Sequence, residues 1–367
     1  MVFSDETTII IFSNEVWSER NLIQHQLAIE LSQKFNVIYL NPPVLWDPSY
    51  KGRKVRKAFR VNGNLVVLHH KHILPLRIFS KIFRNINDFI TESAIKSYVG
   101  EAHEVIVWNF DRLRSNNFHL LKPDSVIYHV IHNNYRKIED SELASSADLV
   151  LCSNSSYINH YKNCNEKIMH FPPCITSASN SKVTNDLRSL VIPKPYITYV
   201  GEINTDIDIT LLKHIAIKNP DLVILLLGPV LKMNNESLKQ VVELQSLPNV
   251  KILGSIESSD IHKFLMSTLA CLVPYKTSSD SEYINLYPLY LHDYLNVHKH
   301  IISTIDFGLA EQLEMGIHVH QDYNGFNNAL NDLKHSEKDT NIRLINDYLS
   351  KVHCNNKIEE VYKLLRG

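Results

Sequence analysis

Asn285 and Asp293 stand eight residues apart in the run NLYPLYLHDYLNVHKHII, residues 285–302. Pro288 opens a short amphipathic stretch, and an apolar run follows from His300, so the pattern predicts a loop residue and a helix residue just ahead of a buried strand. Three glycines, Gly201, Gly228 and Gly254, each follow an apolar run. Glycine there lets a ligand approach the backbone, and a following helix would offer N–H groups to a phosphate, although glycine is also common at ordinary strand-to-helix turns. Asp206 and Asp208 form a D-x-D, which could hold Mg²⁺ on a diphosphate. It opens a predicted helix, and capping is the favoured reading.

The chain has 19 histidines, none in an HExxH or a paired Cys/His array. His69, His70 and His72 form one group, and His292, His298 and His300 another. His129 and His132 close a predicted strand beside Asn133 and Asn134, a place for a general base or a sugar hydroxyl contact. The competing reading for either is a partly buried polar side chain. No GxGxxG or GxxxxGK[ST] occurs, which leaves dinucleotide-oxidoreductase and P-loop functions without a motif.

The elements that must position these residues follow an alternating pattern. TTIIIFSN (7–14), a helical stripe with Leu22, Ile23, Gln26, Leu27 and Leu31, and NVIYLNPP (36–43) read as a βαβ opening. Strands follow at 64–70, 104–110, 125–131 and 147–154. A polar stretch ending in two prolines, 177–195, reads as a linker. A second βα series starts with YITYVGEI (196–203) and continues through strands at 221–229, 249–256, 269–275, 300–305 and 317–322, with helices at 208–220 and 258–268. Short strands buried on both faces indicate parallel α/β sheets, which bind ligands at their carboxyl ends.

Length agrees with two domains, since 367 residues exceeds what one core usually serves. We read 1–176 as an N-terminal domain, 177–195 as the linker, 196–345 as a C-terminal domain, and 346–367 as a helical tail packing back on the first. A balance of 38 Lys and Arg against 39 Asp and Glu gives no bulk case for a nucleic-acid partner. Five cysteines, 152, 164, 174, 271 and 354, include no CxxC pair, and a reducing cytoplasm is the simpler expectation. Asp5 and Glu6 argue against a signal peptide, and no apolar run is long enough to span a bilayer.

A membrane surface through residues 51–90 is a further expected partner. KGRKVRKAFR (51–60) is strongly basic. In ILPLRIFSKIFRNINDFI (73–90), Ile78, Phe79, Ile82, Phe83, Ile86 and Phe89 gather on one helical face, with Arg77, Lys81 and Arg84 between them. The stripe reads either as a surface for anionic lipid or as the face that docks a helix on the sheet.

Together these residues resemble bacterial glycosyltransferases of the GT-B type, in the retaining, GT4-like branch that includes teichuronic-acid and capsule enzymes. The first half carries Trp17, Arg20, Gln24 and His25, the double proline Pro42–Pro43, and SVIYHVIHNNYRKIEDSELASSADLVLCSNS. The second half carries YVGEINTDIDITLLKHIAIKNPD, LLLGP…LPNVKILGSI, LACLVPYK and YPLYLHDYLNVHKHIIST, the last similar to P-x-K-x-x-E-Y-x-x-x-G-K-P-V-V.

The resemblance implies two Rossmann-like domains facing across a cleft, a nucleotide-diphosphate sugar donor held by the C-terminal half, and a saccharide or lipid-linked glycan acceptor held by the N-terminal half. It implies no cofactor and no metal, and a role in surface polysaccharide synthesis, including capsule and lipopolysaccharide. It places donor binding on Gly201, Glu202, Asp208, Gly228, Pro229, Gly254, Ile256, Leu286, Tyr287, Pro288 and Asp293. Acceptor binding falls on Glu15, Trp17, Arg20, Asn109, His129 and His132, and catalysis on His132, Asn285 and Asp293. The family's paired glutamates fall on Asn285 and Asp293, and Tyr290 stands where a lysine is usual. Those departures keep two alternatives open: a catalytically degenerate protein that binds nucleotide sugar or glycan, and a nucleotide-sugar epimerase. The protein is expected in the cytoplasm, peripheral on the inner face of the membrane.

Overall fold

The computed structural model describes residues 7–17, 22–43, 58–70, 80–99, 103–112, 114, 118–131, 140–173, 192–256, 258–277, 290–307, 309, 312–335 and 339–367. The chain divides into two units. One comprises Met1–Thr176 with the returning segment His353–Gly367, and the other Ser177–Val352.

The first unit is an eight-stranded sheet. In chain order its strands are β1 (Thr7–Phe12), β2 (Asn36–Leu40), β3 (Ala58–Arg60), β4 (Leu65–Leu68), β5 (Glu104–Asn109), β6 (Ser125–Val130), β7 (Leu149–Cys152) and β8 (Ile168–His170). Across the sheet they run β3-β4-β2-β1-β5-β6-β7-β8, all parallel except the edge strand β3. Every residue of β1 is buried. Its β-branched run sends Ile9 and Ile11 into one apolar cluster and Ile10 and Phe12 into another, one on each face. The covering helices are α1 (Ile23–Leu31), α2 (Ser80–Val99), α3 (Asp140–Ser146), α4 (Ile158–Tyr161) and, from the far end of the chain, α11 (Cys354–Arg366). α11 buries Ile358, Val361 and Tyr362 in the core of this unit, stacks Tyr362 on Phe35 at 5.2 Å, and pairs Arg366 with Glu104 at 3.2 Å.

The second unit has six parallel strands: β9 (Tyr196–Val200), β10 (Val223–Leu227), β11 (Val250–Ile252), β12 (Ala270–Val273), β13 (His300–Ser303) and β14 (Ile317–Val319). Their order is β11-β10-β9-β12-β13-β14. Around it lie α5 (Ile209–Lys218), α6 (Asn235–Gln245), α7 (Ser258–Ser267), α8 (Leu291–Asn296), α9 (Tyr323–His335) and α10 (Ile342–Lys351). Leu211, Leu212 and Ile215 of α5 and Phe326 and Leu330 of α9 close its core.

The expectation of a chain without disulfides is corrected at Cys354, which is disulfide-bonded, while Cys152, Cys164 and Cys271 are free. Spacing along the chain does not bound distance in space, and the fold returns α11 to the first unit. No helix among the described residues is long and apolar enough to cross a membrane.

Candidate functional site

Sheets of this kind have a switch point where successive strands leave in opposite directions, and their carboxyl ends splay there. In the second unit that point lies between β9 and β12. β9 pairs with β10 along five positions but meets β12 at one, Thr198 opposite Cys271. α8 fills the opening. Its buried Tyr294 accepts the Val200 N–H at 2.7 Å and donates to the Leu272 carbonyl at 3.3 Å, so one phenol joins the two separating strand tips. Tyr199 donates to the Glu202 carbonyl at 3.0 Å. Burial raises Tyr199, Tyr275, Tyr290 and Tyr294 above the ordinary phenol value, so all four are neutral.

Asp293 precedes Tyr294 in the first turn of α8. Its side chain is accessible, yet protein crowded around the carboxyl desolvates it and raises its pKa from 3.8 to about 6. At neutral pH it is an open carboxylate beside a switch point. The neighbouring His292 is buried, and desolvation lowers its pKa to about 3, so it packs as a neutral ring.

The glycine turns differ from the expected strand-to-helix form. Gly201 has φ 149° and Gly228 φ 151°, and a Cβ at Gly228 would collide with the Gly201 carbonyl. The two turns therefore lie backbone against backbone, with the Gly201 N–H donating to Leu227 O at 2.9 Å. The chain then stays extended: Ile203 N–H donates to Pro229 O and Leu231 N–H to Ile203 O, both at 2.9 Å. Gly254 bridges back to Gly228.

The expectation that a helix after these turns offers free N–H groups is corrected for α5 and α6. Both start several residues downstream and carry their own caps. The Asp208 carboxylate accepts Leu211 N–H, and Asn234 Oδ1 accepts Ser237 N–H, each at 2.8 Å. Asp208 also accepts the Tyr323 hydroxyl at 3.1 Å, and is a structural cap. Among the described residues, no three His, Cys, Asp or Glu side chains gather as metal ligands. Half-buried Glu202 and Pro229 flank the glycine turns, and half-buried Ile256 follows Gly254.

In the first unit the switch point lies between β1 and β5. The segment after β1 is fixed by its neighbours. Ser13 Oγ accepts the Glu15 N–H at 2.9 Å and the Tyr39 hydroxyl at 2.6 Å. Trp17 N–H donates to Asn41 Oδ1 at 2.7 Å, and Gln24 donates to Asn14 Oδ1 at 2.8 Å. The Trp17 ring meets Tyr39 edge-on at 4.9 Å and His25 at 5.0 Å. Exposed Asn14 and half-buried Glu15 are thus held on a rigid rim. Asn41 also meets His69 at 2.9 Å.

Asn109 and His129 stand at the carboxyl ends of β5 and β6. Asn109 is fully buried and accepts the Asp111 N–H at 2.9 Å. His129 is buried, with Trp108 Nε1 donating to its Nδ1 and its Nε2 facing Ser153 Oγ, both at 3.1 Å. Desolvation lowers its pKa to about 3. A direct acceptor contact for His129 is therefore corrected: both ring nitrogens are occupied by the protein. Arg20, His132, Asn285, Leu286, Tyr287 and Pro288 lie outside the described residues.

The tyrosines of the second unit and the Asn41–His69 pair were not readable as site residues. The clustering of Tyr287, Tyr290 and Tyr294 around Asp293 is the one sequence signal that pointed toward them.

Comparison with solved structures assigns the fold class: it is GT-B. A glycosyltransferase from Rickettsia africae superposes with a TM-score of 0.65 at 11% identity, covering 99% of this chain and 98% of that one. The Anabaena protein HepE, in complex with UDP and glucose, gives 0.62 at 9% identity over 98% and 99%. A putative UDP-N-acetylglucosamine 2-epimerase from Listeria monocytogenes gives 0.52 at 9% identity over 95% and 92%. No protein-family model matches the chain, and no curated protein matches it in sequence.

Proposed function

We propose that the protein is a glycosyltransferase that moves a sugar from a nucleotide-diphosphate donor to a saccharide or lipid-linked saccharide acceptor in surface polysaccharide synthesis, with retention and without a metal. The observation that carries the reading is the accessible Asp293 carboxylate, set by α8 beside the switch point of β9 and β12. A carboxylate accepts hydrogen bonds from two adjacent hydroxyls, which suits a donor ribose. The donor would lie over the Gly201, Gly228 and Gly254 turns, where absent side chains allow backbone contact. HepE, whose fold is shared, was crystallised with UDP and with UDP-glucose, which supports a nucleotide sugar as the ligand.

In the transfer, the bond from the anomeric carbon to the donor phosphate breaks and a bond to the acceptor oxygen forms. The acceptor's hydroxyl proton leaves with the departing diphosphate. His132 and Asn285 keep the roles the family resemblance gives them, near the anomeric centre. The rim bearing Asn14, Glu15 and Trp17 is the acceptor side. The test is purified protein with a panel of nucleotide sugars and lipid-linked acceptors. Transfer that Asp293→Ala abolishes is expected, and neither transfer nor donor hydrolysis under any combination would overturn the proposal.

A second reading is favoured by one observation: Asn285 and Tyr290 replace a charged acid and a charged lysine of the family pattern. The chain would then bind a nucleotide sugar or glycan without transfer, or epimerise the sugar on a fold shared with the Listeria protein. Calorimetric donor binding with no turnover marks the first case, and product formed without acceptor marks the second.

A further inference from the structure

Trp108 sets the direction of a buried hydrogen-bond chain at the carboxyl end of the first sheet. An indole N–H can only donate, and Trp108 Nε1 donates to His129 Nδ1 at 3.1 Å. Nδ1 is therefore the unprotonated nitrogen, and the neutral ring carries its one hydrogen on Nε2. Desolvation keeps the ring neutral by lowering its pKa to about 3. Phe110 and Phe171 pack on it with centroids at 4.7 and 5.1 Å, so the imidazole cannot turn over without displacing them.

Nε2 faces Ser153 Oγ at 3.1 Å, and the ring also reaches the Phe171 backbone. Because Nε2 holds a hydrogen, Ser153 cannot donate to it. The serine's own hydroxyl hydrogen is left over, with no other acceptor among the described residues. Ser153 is only 6% exposed, and a buried donor without a partner is costly enough to call for a ligand or a water. The main chain holds the group in place: Ser153 N–H donates to Val130 O at 3.0 Å, and His170 hydrogen-bonds the Ser153 backbone. Ser153 directly follows β7, and parallel sheets of this kind bind ligands beyond their carboxyl ends. The neutral imidazole behind the hydroxyl supplies no charge for an anion, which suits the uncharged oxygens of a sugar.

We infer that Ser153 is an acceptor-binding residue whose hydroxyl donates to an uncharged oxygen of the acceptor saccharide. Trp108 and His129 are positioning residues, which keep that hydrogen directed away from the ring. The inference rests on the reading of the first unit as the acceptor side. It moves the sugar contact that the family resemblance gives to His129 one step along the chain of hydrogen bonds, to Ser153.

Two measurements on the full-length chain test it. The first needs no substrate: nitrogen NMR of histidine-labelled protein, with His129 assigned by the signals lost in His129→Phe. Nε2 is expected at the protonated shift and Nδ1 at the unprotonated one, and the reverse would overturn the inference. In Trp108→Phe the hydrogen should spread over both nitrogens, and an unchanged tautomer would remove Trp108 from its role. The second is saturation-transfer NMR with a panel of soluble disaccharides and no donor. Wild type is expected to bind at least one of them. Ser153→Ala should bind it about three- to tenfold more weakly, with an unfolding midpoint near wild type and calorimetric donor binding unchanged. Equal binding by Ser153→Ala would overturn the inference, because a buried water alone then satisfies the hydroxyl. So would a wild type that binds no disaccharide. Failure of the transfer reading looks different: wild type then shows neither donor binding nor transfer, and the disaccharide measurement still reports on Ser153.

Discussion

The phenol of Tyr294 accepts the backbone N–H of Val200 at 2.7 Å, inside the opening between β9 and β12. That contact connects the helix carrying Asp293 to the strand leading into Gly201. The helix and the strand tip are therefore held at a spacing that a single side chain sets.

Tyr294→Phe keeps the ring and removes the acceptor. The Val200 N–H and Leu272 carbonyl then lie buried without their partner, a cost of about 1–3 kcal/mol. We expect a lower denaturant midpoint in equilibrium unfolding, and donor binding weakened along with it. Tyr323→Phe leaves Asp208 capping Leu211 N–H, as both Asp208 oxygens remain in place, and should have a smaller effect on both measurements.

If Asp293 holds the donor ribose as proposed, donor binding has an acid limit. Its carboxyl has a pKa raised by desolvation to about 6, so below that value it is protonated and loses its capacity to accept two hydroxyls. Calorimetric titration should show donor affinity falling as pH drops from 7.5 to 5. The stability effect has the opposite sign. A carboxyl whose pKa is raised on folding favours the folded state at low pH, and this contribution is lost as pH rises from 3.8 through 6. Asp293→Asn should therefore gain stability relative to wild type at pH 7.5, not at pH 4, while binding donor poorly at both.

Much of the fold is legible because buried parallel strands announce themselves: TTIIIF, YITYV and VILLL are apolar runs bounded by turns. The edge strand β3 was missed inside a basic segment, since edge strands tolerate charge and need only one neighbour. The role of Tyr294 was not legible, because it depends on two strands diverging, which no local pattern records. The capped starts of α5 and α6 were half visible. Asp208 was readable as a cap, but the extended pairing of Ile203 with Pro229 that delays α5 is a contact between distant segments. Sequence placed His129 correctly at a strand end and gave no signal that Trp108 and Ser153 would take both its nitrogens.

That buried histidine makes the first unit sensitive to acid. Its folded pKa is lowered by desolvation from 6.5 to about 3. Between those values the unfolded chain takes up a proton that the folded chain refuses, so stability present above pH 6.5 is lost as pH falls toward 3. The slope from one such group approaches about 1.4 kcal/mol per pH unit. His129→Phe should unfold more easily at pH 7.5, because the Trp108 N–H loses its acceptor. Its stability should fall less steeply than wild type between pH 6 and 5. Denaturant titrations at the three pH values measure both.

The returning helix α11 makes the last residues of the chain part of the first unit's core. Ile358 is 1% exposed among core residues that include Phe35, and Leu364, one turn and a half further on, is 37% exposed. Removing a buried isoleucine costs transfer energy plus a cavity, about 2–5 kcal/mol for Ile358→Ala. Leu364→Ala has little burial to lose and should change stability by less than about 1 kcal/mol. The pair separates packing from helix propensity, because alanine favours helix at both positions. If α11 contributes through its buried face, only Ile358→Ala will lower the unfolding midpoint and increase hydrogen exchange in β1 and β2. Equal losses at both positions would overturn a contribution made through the buried face.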